Sequence, residues 1–310
     1  MKKYNKYLLI FILIFSSFIM GCTKLDEEVY NQLPVDQFGK NKKEINALIG
    51  PIYRTFHSVF PGSYMRMVNN SSDMSVIPTR KGGDWWDGGQ FKELRLFLWT
   101  PRTSAIVDSY NACMENISKC NQIYYMISSS SAIQDKDKVT LLAQIRGVRA
   151  FWYYILVDNF GNVPIVTDFL NTDPPSTSPR IDVYNFIVSE LLDIKDNVRS
   201  DVTSASYGKI TKGAVFTLLA KMYLNAMVWN PDGGSKWQEC ADACDSVMSL
   251  SYILEPNWKI NFAVHNEISR EIILPSVFTK SEWGMYIANE TLHYLDPIAL
   301  GLHIGIRKQI

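Results

Sequence analysis

The chain has 310 residues, of which 47% are hydrophobic and 20% are charged, and its formal net charge is zero. No stripe of basic residues accompanies this balance, so the composition excludes nucleic acid as an expected partner. Beyond an N-terminal apolar segment, about 290 residues remain, enough for a substantial core in one large domain or two small ones. No later apolar run of about 18 residues predicts a membrane-spanning helix.

Residues 1–21 have the layout of a lipoprotein signal peptide. Three lysines flank the start of the apolar run Tyr7–Phe15, which is too short to cross a bilayer as a permanent helix. The segment ends in "FIMGC", where Ile19, Gly21 and Cys22 resemble the lipobox of bacterial lipoproteins. We therefore predict that Cys22 becomes an acylated N-terminus that tethers the mature protein. The alternative is an ordinary signal peptide followed by an incidental cysteine.

Residues 22–40 are predicted to form a flexible acidic leader. The stretch "TKLDEEVYNQLP" that follows Cys22 is polar and acidic and ends at a proline. An acidic stretch directly after the lipidated cysteine also resembles the surface-export signal of Bacteroidetes lipoproteins. This resemblance favours display of the protein on the cell surface.

Apolar residues recur at helical spacing along most of the remaining chain. The pattern predicts helices over residues 42–59, 104–127, 138–160 and 182–198, and two more that begin at Thr211 and near Ser235. Pro51 falls inside the first helix and is expected to kink or split it. Gly161 ends the third helix, and Pro164 prevents it from resuming.

Amphipathic helices joined by modest loops favour an array of stacked antiparallel helix pairs. The second and third helices begin about 34 residues apart, which is the period of TPR repeats, although the TPR sequence signature is absent. Two irregular regions, 61–101 and 167–180, interrupt the array, and loops of that length tend to carry function or disorder. After Tyr252 the pattern shifts towards short strands, with "EIILPSVF" at 271–278 as the clearest case.

No motif for catalysis or metal binding stands out in the sequence. Cys113 and Cys120 share one helix, Cys240 and Cys244 share another, and all four are predicted to be buried free thiols. The four histidines are scattered, so no metal site and no cofactor are expected. No catalytic residue is assigned. Carboxylates are numerous, so a glycoside hydrolase pair stays an open alternative, although no pair is singled out.

The stretch "KGGDWWDGGQ", residues 81–90, is the strongest candidate for ligand contact. Trp85 and Trp86 lie between glycine pairs that oppose regular structure. Indole rings suit sugars, because the C–H face of a sugar can lie on a ring while its hydroxyls reach polar groups. The alternative is that a tryptophan fills space between this loop and the helices. The polar groups nearby are supplied by Asn69, Asp73, Arg80, Asp84 and Asp87.

A second candidate patch lies in "TKSEWGMYIANE", with Trp283 and Tyr286 as its aromatic residues. Its alternative is a structural loop.

Four blocks of the sequence, in the order in which they occur, resemble the SusD/RagB family. The first is "QIRGVRAFWYYILVDNFGNVPIV", residues 144–166, where Arg149 and Ala150 precede a run of aromatic residues and "FGNVP" closes the helix. The others are "DVYNFIVSELLDIKDNV", "GKITKGAVFTLLAKMYLNA", in which Lys209 replaces the usual arginine, and "SREIILPSVF".

The resemblance implies a mostly α-helical fold, a TPR-like array of helix hairpins with long irregular loops and a few short strands. It assigns residues 41–310 to one SusD-like helical domain. SusD-like proteins continue into a further C-terminal lobe, so this domain is expected to be incomplete at its C-terminus.

The resemblance also implies a function in the outer membrane. Such a lipoprotein captures a glycan or oligosaccharide at the cell surface and passes it to a SusC-like TonB-dependent transporter, without catalysis. The alternatives are a peptide-binding member of the same family, a lipid-anchored glycoside hydrolase, and a helical-repeat adaptor without a small ligand.

Overall fold

The computed structural model describes residues 41–79 and 85–278. Every described residue belongs to one compact unit within Val35–Ile310. Several sequence predictions fall outside the described residues: the signal peptide, Cys22 and the leader, together with Arg80, Asp84, Trp283 and Tyr286.

The described residues are mostly α-helical, as predicted. The helices are α1 (Lys42–Arg54), α2 (Phe56–Val59), α3 (Met65–Asn70), α4 (Gln90–Arg95), α5 (Ser104–Ser129), α6 (Asp135–Phe160), α7 (Arg180–Ile194), α8 (Lys212–Leu224), α9 (Ala226–Trp229) and α10 (Trp237–Met248). A π-helical turn spans Phe60–Tyr64, and 3₁₀ turns span Asp87–Gly89, Pro231–Gly233, Trp258–Phe262 and Asn266–Ile268. Strands β1 (Val163–Pro164) and β2 (Thr177–Ser178) pair antiparallel, with Val163 opposite Ser178.

The long helices pack in sequence as a TPR-like array. Helix α5 packs on α6, α6 packs on α7, and α8 packs on α10. The loop 130–134 between α5 and α6 is short, which makes these helices antiparallel neighbours. The stripe predicted for α5 is confirmed in part: Cys113, Ile117, Cys120 and Ile127 are buried, whereas Ile106, Tyr110 and Tyr124 are half-buried. The α-helical class and the array of hairpins are therefore confirmed.

Helix α6 is the centre of the core. Trp152 and Tyr153 are fully buried on it, although they are adjacent and therefore point in different directions. On another face of α6, Gly147 allows Ile210 to pack closely, because a Cβ atom at position 147 would lie 2.6 Å from the Ile210 side chain. The helix ends at Gly161, whose φ of +71° lies in the region that favours glycine.

Tyr53 connects the first helix to a distant part of the chain. Its hydroxyl accepts a hydrogen bond from the backbone N–H of Ile210 at 3.1 Å and donates to Oε1 of Gln144 at 3.4 Å. Ile210 immediately precedes Thr211, the N-cap of α8, whose side chain accepts from the N–H of Ala214. Helix α1 is thus fixed to α6 and to the start of α8. It runs through Pro51, and the predicted break falls at Thr55 instead.

A hydrogen-bonded ion-pair network holds α5, α6 and α7 together. The Glu190 carboxylate on α7 accepts from Arg149 Nη2 at 2.6 Å and from Arg146 Nη2 at 2.7 Å, both on α6. Arg149 also donates to Asn121 Oδ1 on α5 at 2.8 Å. Arg146 reaches the exposed Asp193 at 3.0 Å.

Two of the four cysteines are not placed as predicted. Cys113 and Cys120 are buried free thiols, and burial raises the pKa of each to about 12. Cys244, however, is exposed and Cys240 is only half-buried. The physical reason is that Ala243 is the buried residue of α10, so the stripe that contains Trp237 and Cys244 faces outwards. The prediction of a buried stripe on this helix was wrong.

The predicted strand at 271–278 is also absent from the described residues. This segment is irregular and follows the 3₁₀ turns of the 258–268 region. Ile273 and Leu274 pack against the helical core as partly buried residues. The apolar run that predicted a strand therefore packs against the helical core, without strand pairing among the described residues.

Candidate functional site

A surface groove of about 760 Å³ lies between α3, α4, the segment 96–101, the start of α5 and the end of α6. This volume is in the range of small-molecule sites. Its aromatic lining consists of Trp99, Tyr110 and Phe160, and its aliphatic lining of Met67, Leu94, Pro101, Ile106 and Val107. Its polar lining consists of Ser71, Thr100, Asn111 and Asn159.

Buried side chains support the groove from below. Met67, Leu94 and Ala105 form a small core of their own between α3, α4 and α5. On the α5–α6 side, the rings of Tyr110 and Phe160 meet edge to face, with centroids 5.2 Å apart. Both rings belong to long helices that pack on each other, so we expect this side to be largely preformed.

The rim consists of four consecutive apolar residues that are all exposed. Leu96, Phe97, Leu98 and Trp99 have between 41% and 62% of their surface exposed, and among them Trp99 lines the groove. The Phe97 and Trp99 rings meet edge to face at 5.3 Å. Phe97 has a φ of +57°, a left-handed conformation that costs a non-glycine residue about 1–2 kcal/mol. An exposed and strained aromatic rim is typical of functional loops.

Hydrogen bonds hold this rim in place. The N–H of Leu98 donates to the carbonyl of Glu93 at 2.8 Å, and the N–H of Thr100 donates to Thr103 Oγ1 at 3.0 Å. The Thr103 hydroxyl in turn donates to the Glu93 carboxylate at 2.8 Å. The turn between α4 and α5 is therefore defined by its own polar groups, while its large apolar side chains face solvent.

The two tryptophans of "KGGDWWDGGQ" occupy different environments. Trp86 is 52% exposed and its ring covers Gly89, where a Cβ atom would lie 3.2 Å from Cζ2. Trp85 is half-buried, has a φ of +63°, and its ring centroid lies 6.0 Å from that of Phe91. Gly88 and Gly89 both have positive φ, as expected for this turn. Neither tryptophan is among the described residues that line the groove.

The predicted polar fringe is only partly assembled among the described residues. Asp73 is exposed and its carboxylate accepts from Arg95 Nη1 at 3.0 Å. Asn69 is half-buried, and its backbone carbonyl accepts from the N–H of Ser75 and from the Ser72 hydroxyl. The role of Trp85, Trp86, Asn69 and Asp73 in ligand binding stays a prediction.

Sequence reasoning missed the groove. It assigned Tyr110 to the buried stripe of α5, whereas this residue is half-buried and faces the groove. It gave Trp99 no role. The available signal was "LFLWTP", four large apolar residues in a row just before a proline turn, a length and position that no buried helix or strand explained.

The described lining of the groove is electrically neutral. It offers hydroxyl, amide and aromatic groups, and it contains no Asp, Glu, His, Cys, Lys or Arg. Proton transfer in enzymes is carried out mainly by such ionisable groups, and an activated hydroxyl nucleophile needs a base beside it. The groove as described therefore presents groups for binding a neutral ligand.

Within the described ranges, 41–79 and 85–278, His, Cys, Asp and Glu residues form no group of three or more that could hold a metal ion. None of the helices in the same ranges combines the length and the apolar character needed to cross a membrane.

Known proteins resemble the chain in sequence and in fold. The starch-binding protein SusD of Bacteroides thetaiotaomicron is 26% identical over 195 residues, which is 62% of this chain and 34% of SusD. A crystal structure of a SusD-like protein from Bacteroides fragilis superposes with a TM-score of 0.66 at 18% identity, covering 81% of this chain and 48% of that one.

A third relative was solved with a sugar bound. Surface glycan-binding protein A of Bacteroides thetaiotaomicron, in complex with laminarihexaose, superposes with a TM-score of 0.61 at 18% identity. The alignment covers 75% of this chain and 48% of that one. At such identities the superpositions establish the fold alone.

The chain spans between a third and a half of the length of these relatives. A family model described as "Starch-binding associating with outer membrane" matches residues 25–224, which is more than half of the chain. The matched region contains the whole α5–α6–α7 array and every described residue that lines the groove. The chain therefore belongs to the SusD-like family.

Proposed function

We propose that the protein binds a neutral oligosaccharide in the groove between α3, α4, α5 and α6. The observation that carries this proposal is the neutral lining, which combines aromatic rings with amide and hydroxyl groups. A sugar ring has C–H faces that pack on aromatic rings, and hydroxyls that pair with amides. Burying an ion against such a lining would leave its charge without a partner.

Trp99 and Tyr110 are the proposed contact residues of this site. Trp99 is 41% exposed and Tyr110 is half-buried, so both present ring surface that a ligand can cover. Asn111 is exposed and is the amide proposed to pair with hydroxyls, whereas Asn159 Nδ2 already donates to the Ile155 carbonyl at 2.8 Å. Trp85 and Trp86 are proposed as a second stacking surface, together with Asn69, Asp73 and Arg80, and Trp283 and Tyr286 as a further patch.

The names of relatives support the ligand class. SusD is named for starch, and surface glycan-binding protein A was solved with laminarihexaose. We propose by extension that this protein captures its glycan at the cell surface and passes it to a SusC-like TonB-dependent transporter. We also propose that it does so without catalysis, because the described groove lacks the pair of carboxylates that glycoside hydrolysis requires.

The test of the groove is the substitution Trp99→Ala. We expect affinity for the bound oligosaccharide to fall by tenfold or more, which corresponds to a loss of about 1.4 kcal/mol of contact. Isothermal titration with malto- and laminari-oligosaccharides measures the affinity, and a peptide panel tests the rival ligand class. The same titrations are followed by an assay for released reducing ends, which we expect to stay at background.

The matched control is Trp237→Ala on α10. Trp237 is 56% exposed, similar to Trp86, and does not line the groove. We expect this variant to bind like the wild type and Trp86→Ala to weaken binding. Unchanged affinity in Trp99→Ala would contradict the proposed site, and affinity for peptides in place of sugars would contradict the proposed ligand.

We propose that Cys22 anchors the protein to the outer membrane. Stable anchoring needs more than one acyl chain, and on this proposal all of the chains are attached at Cys22. The change Cys22→Ala is therefore expected to remove them and to move the protein out of the membrane fraction. Metabolic labelling with an alkyne fatty acid and cell fractionation measure both effects. Cys244→Ala is the control, since it removes an exposed cysteine outside the lipobox. Equal lipid labelling of the Cys22→Ala variant would exclude this anchor.

A further inference from the structure

Helix α10 carries three sulfur side chains on one face. Cys240, Cys244 and Met248 follow one another at intervals of four residues, so they lie in a row along the helix. Cys244 is exposed, Met248 is 71% exposed and Cys240 is half-buried. This row belongs neither to the core nor to the groove, and the proposed glycan function does not use it.

The two thiols are close enough to act together. Side chains four residues apart on a helix have Cβ atoms about 5–6 Å apart. The pair is free, since neither residue forms a disulfide.

Met248 is placed to contribute a third sulfur. Side chains on a helix lean towards its N-terminus, so the long Met248 side chain lies over the turn that carries Cys244. Its thioether is a soft and uncharged ligand. Among the described residues, no third His, Cys, Asp or Glu completes a metal site here, so a cation at this place has sulfur ligands and low coordination.

The charge of the helix also favours a cation. Asp242 and Asp245 are exposed on α10, and Asp242 accepts a hydrogen bond from Gln238, which leaves its charge uncompensated. Lys236, the basic residue just before the helix, pairs with Glu239 at 3.0 Å. These two carboxylates add negative charge to the helix that carries the thiols.

We propose that Cys240 and Cys244 chelate a soft monovalent cation of the Cu(I) class, with Met248 as a neighbouring thioether ligand. Thiolate and thioether sulfur select soft ions, whereas the hard cations Mg²⁺ and Ca²⁺ need oxygen ligands. On binding, the two thiols release two protons and form two metal–sulfur bonds, which leaves the bis-thiolate complex with one negative charge. No oxidation or reduction takes place.

The test is an anaerobic titration of the reduced protein with Cu(I), in competition with a chromophoric Cu(I) chelator. We expect one tightly bound Cu(I) per chain, seen also by native mass spectrometry. Cys240→Ser combined with Cys244→Ser is expected to lose this ion. Met248→Leu, which keeps size and apolar character, is expected to weaken binding without abolishing it.

A variant with one thiol moved along α10 tests whether binding needs the four-residue spacing or only the presence of two thiols. Cys244→Ser combined with Ser246→Cys keeps two thiols on α10 but places them six residues apart, on different faces of the helix. We expect this variant to lose the tight one-to-one complex while its circular dichroism stays that of the wild type. Cys113→Ala, which removes a buried thiol, is expected to retain it.

Retention of the tight complex in the variant with the moved thiol, or its absence from the reduced wild type, would overturn the proposal. Neither outcome bears on the groove, because the titration contains no sugar. A glycan titration of the double serine variant is expected to give the wild-type affinity.

Discussion

Replacing Glu190 by glutamine is expected to lower the free energy of unfolding by about 3–5 kcal/mol, the cost of breaking a buried ion pair. The Glu190 side chain is 11% exposed and accepts from both Arg146 and Arg149. Its removal leaves the Arg149 guanidinium, 6% exposed, without a counterion in the interior. Arg149 Nε already lacks a hydrogen-bond partner among the described residues, so the remaining charge is poorly compensated. Urea unfolding measures the change.

Asp193→Asn is the matched control. Asp193 is 62% exposed and contacts the same Arg146 at 3.0 Å. An exposed pair of this kind contributes about 0–1 kcal/mol. A loss for Glu190→Gln no larger than that for Asp193→Asn would show that the network does not stabilise the helix array.

The stabilisation that Glu190 provides is expected to depend on pH. Burial opposes ionisation of Glu190, but the hydrogen bonds and charges of Arg146 and Arg149 outweigh it, so its pKa is lowered. A lowered pKa stabilises the fold above the unfolded value of about 4.3, and this contribution is lost as the pH falls through the folded value. The stability difference between the wild type and Glu190→Gln is therefore expected to shrink on acidification below about pH 4.

The second large effect is expected for Trp152→Ala, a loss of about 3–5 kcal/mol in the free energy of unfolding. Trp152 is fully buried. Its ring centroid lies 5.1 Å from that of Phe56 and 5.8 Å from that of Phe60, and both phenylalanines are close to the N-terminus of the domain. The substitution leaves a cavity where α6 meets the α1–α2 region. Thermal and urea unfolding give the magnitude.

Trp86→Ala provides the comparison, because it makes the same chemical change at an exposed position. Trp86 is 52% exposed, and a surface substitution of this kind changes stability by about 0.5 kcal/mol or less. If both variants lose several kcal/mol, the loop at 85–89 is structural and Trp86 is not available to a ligand.

Helical periodicity predicted the array well because the signal is local. The stripe of α5, the end of α6 at Gly161 and the cap of α8 at Thr211 each depend on residues within a few turns of one another. The same reasoning failed on α10, because an apolar stripe has the same spacing whether a partner covers it or not. The residues around Cys244 do not indicate which face of α10 packs against α8.

The groove could not be predicted because its walls come together only in the fold. Met67, Trp99 and Phe160 lie on α3, on the segment 96–101 and on α6, and they meet only where these parts of the chain pack together. The resemblance to the SusD/RagB family identified Arg149 as part of a motif, but its partners Asn121 and Glu190 lie 28 and 41 residues away. Sequence pattern alone gives no reason to pair them.

The hydrogen bond between Tyr53 and Ile210 joins residues 157 positions apart. At about 5–20 residues per second, synthesis of the intervening chain takes about 8–30 s. Helix α1 leaves the ribosome first, yet the groups that fix its Tyr53 hydroxyl come from α6 and from the start of α8. The α5–α6 hairpin forms from residues that are closer in sequence, so it can form before α1 docks. Folding of this array is therefore expected to begin in its middle, with the first helix docking late.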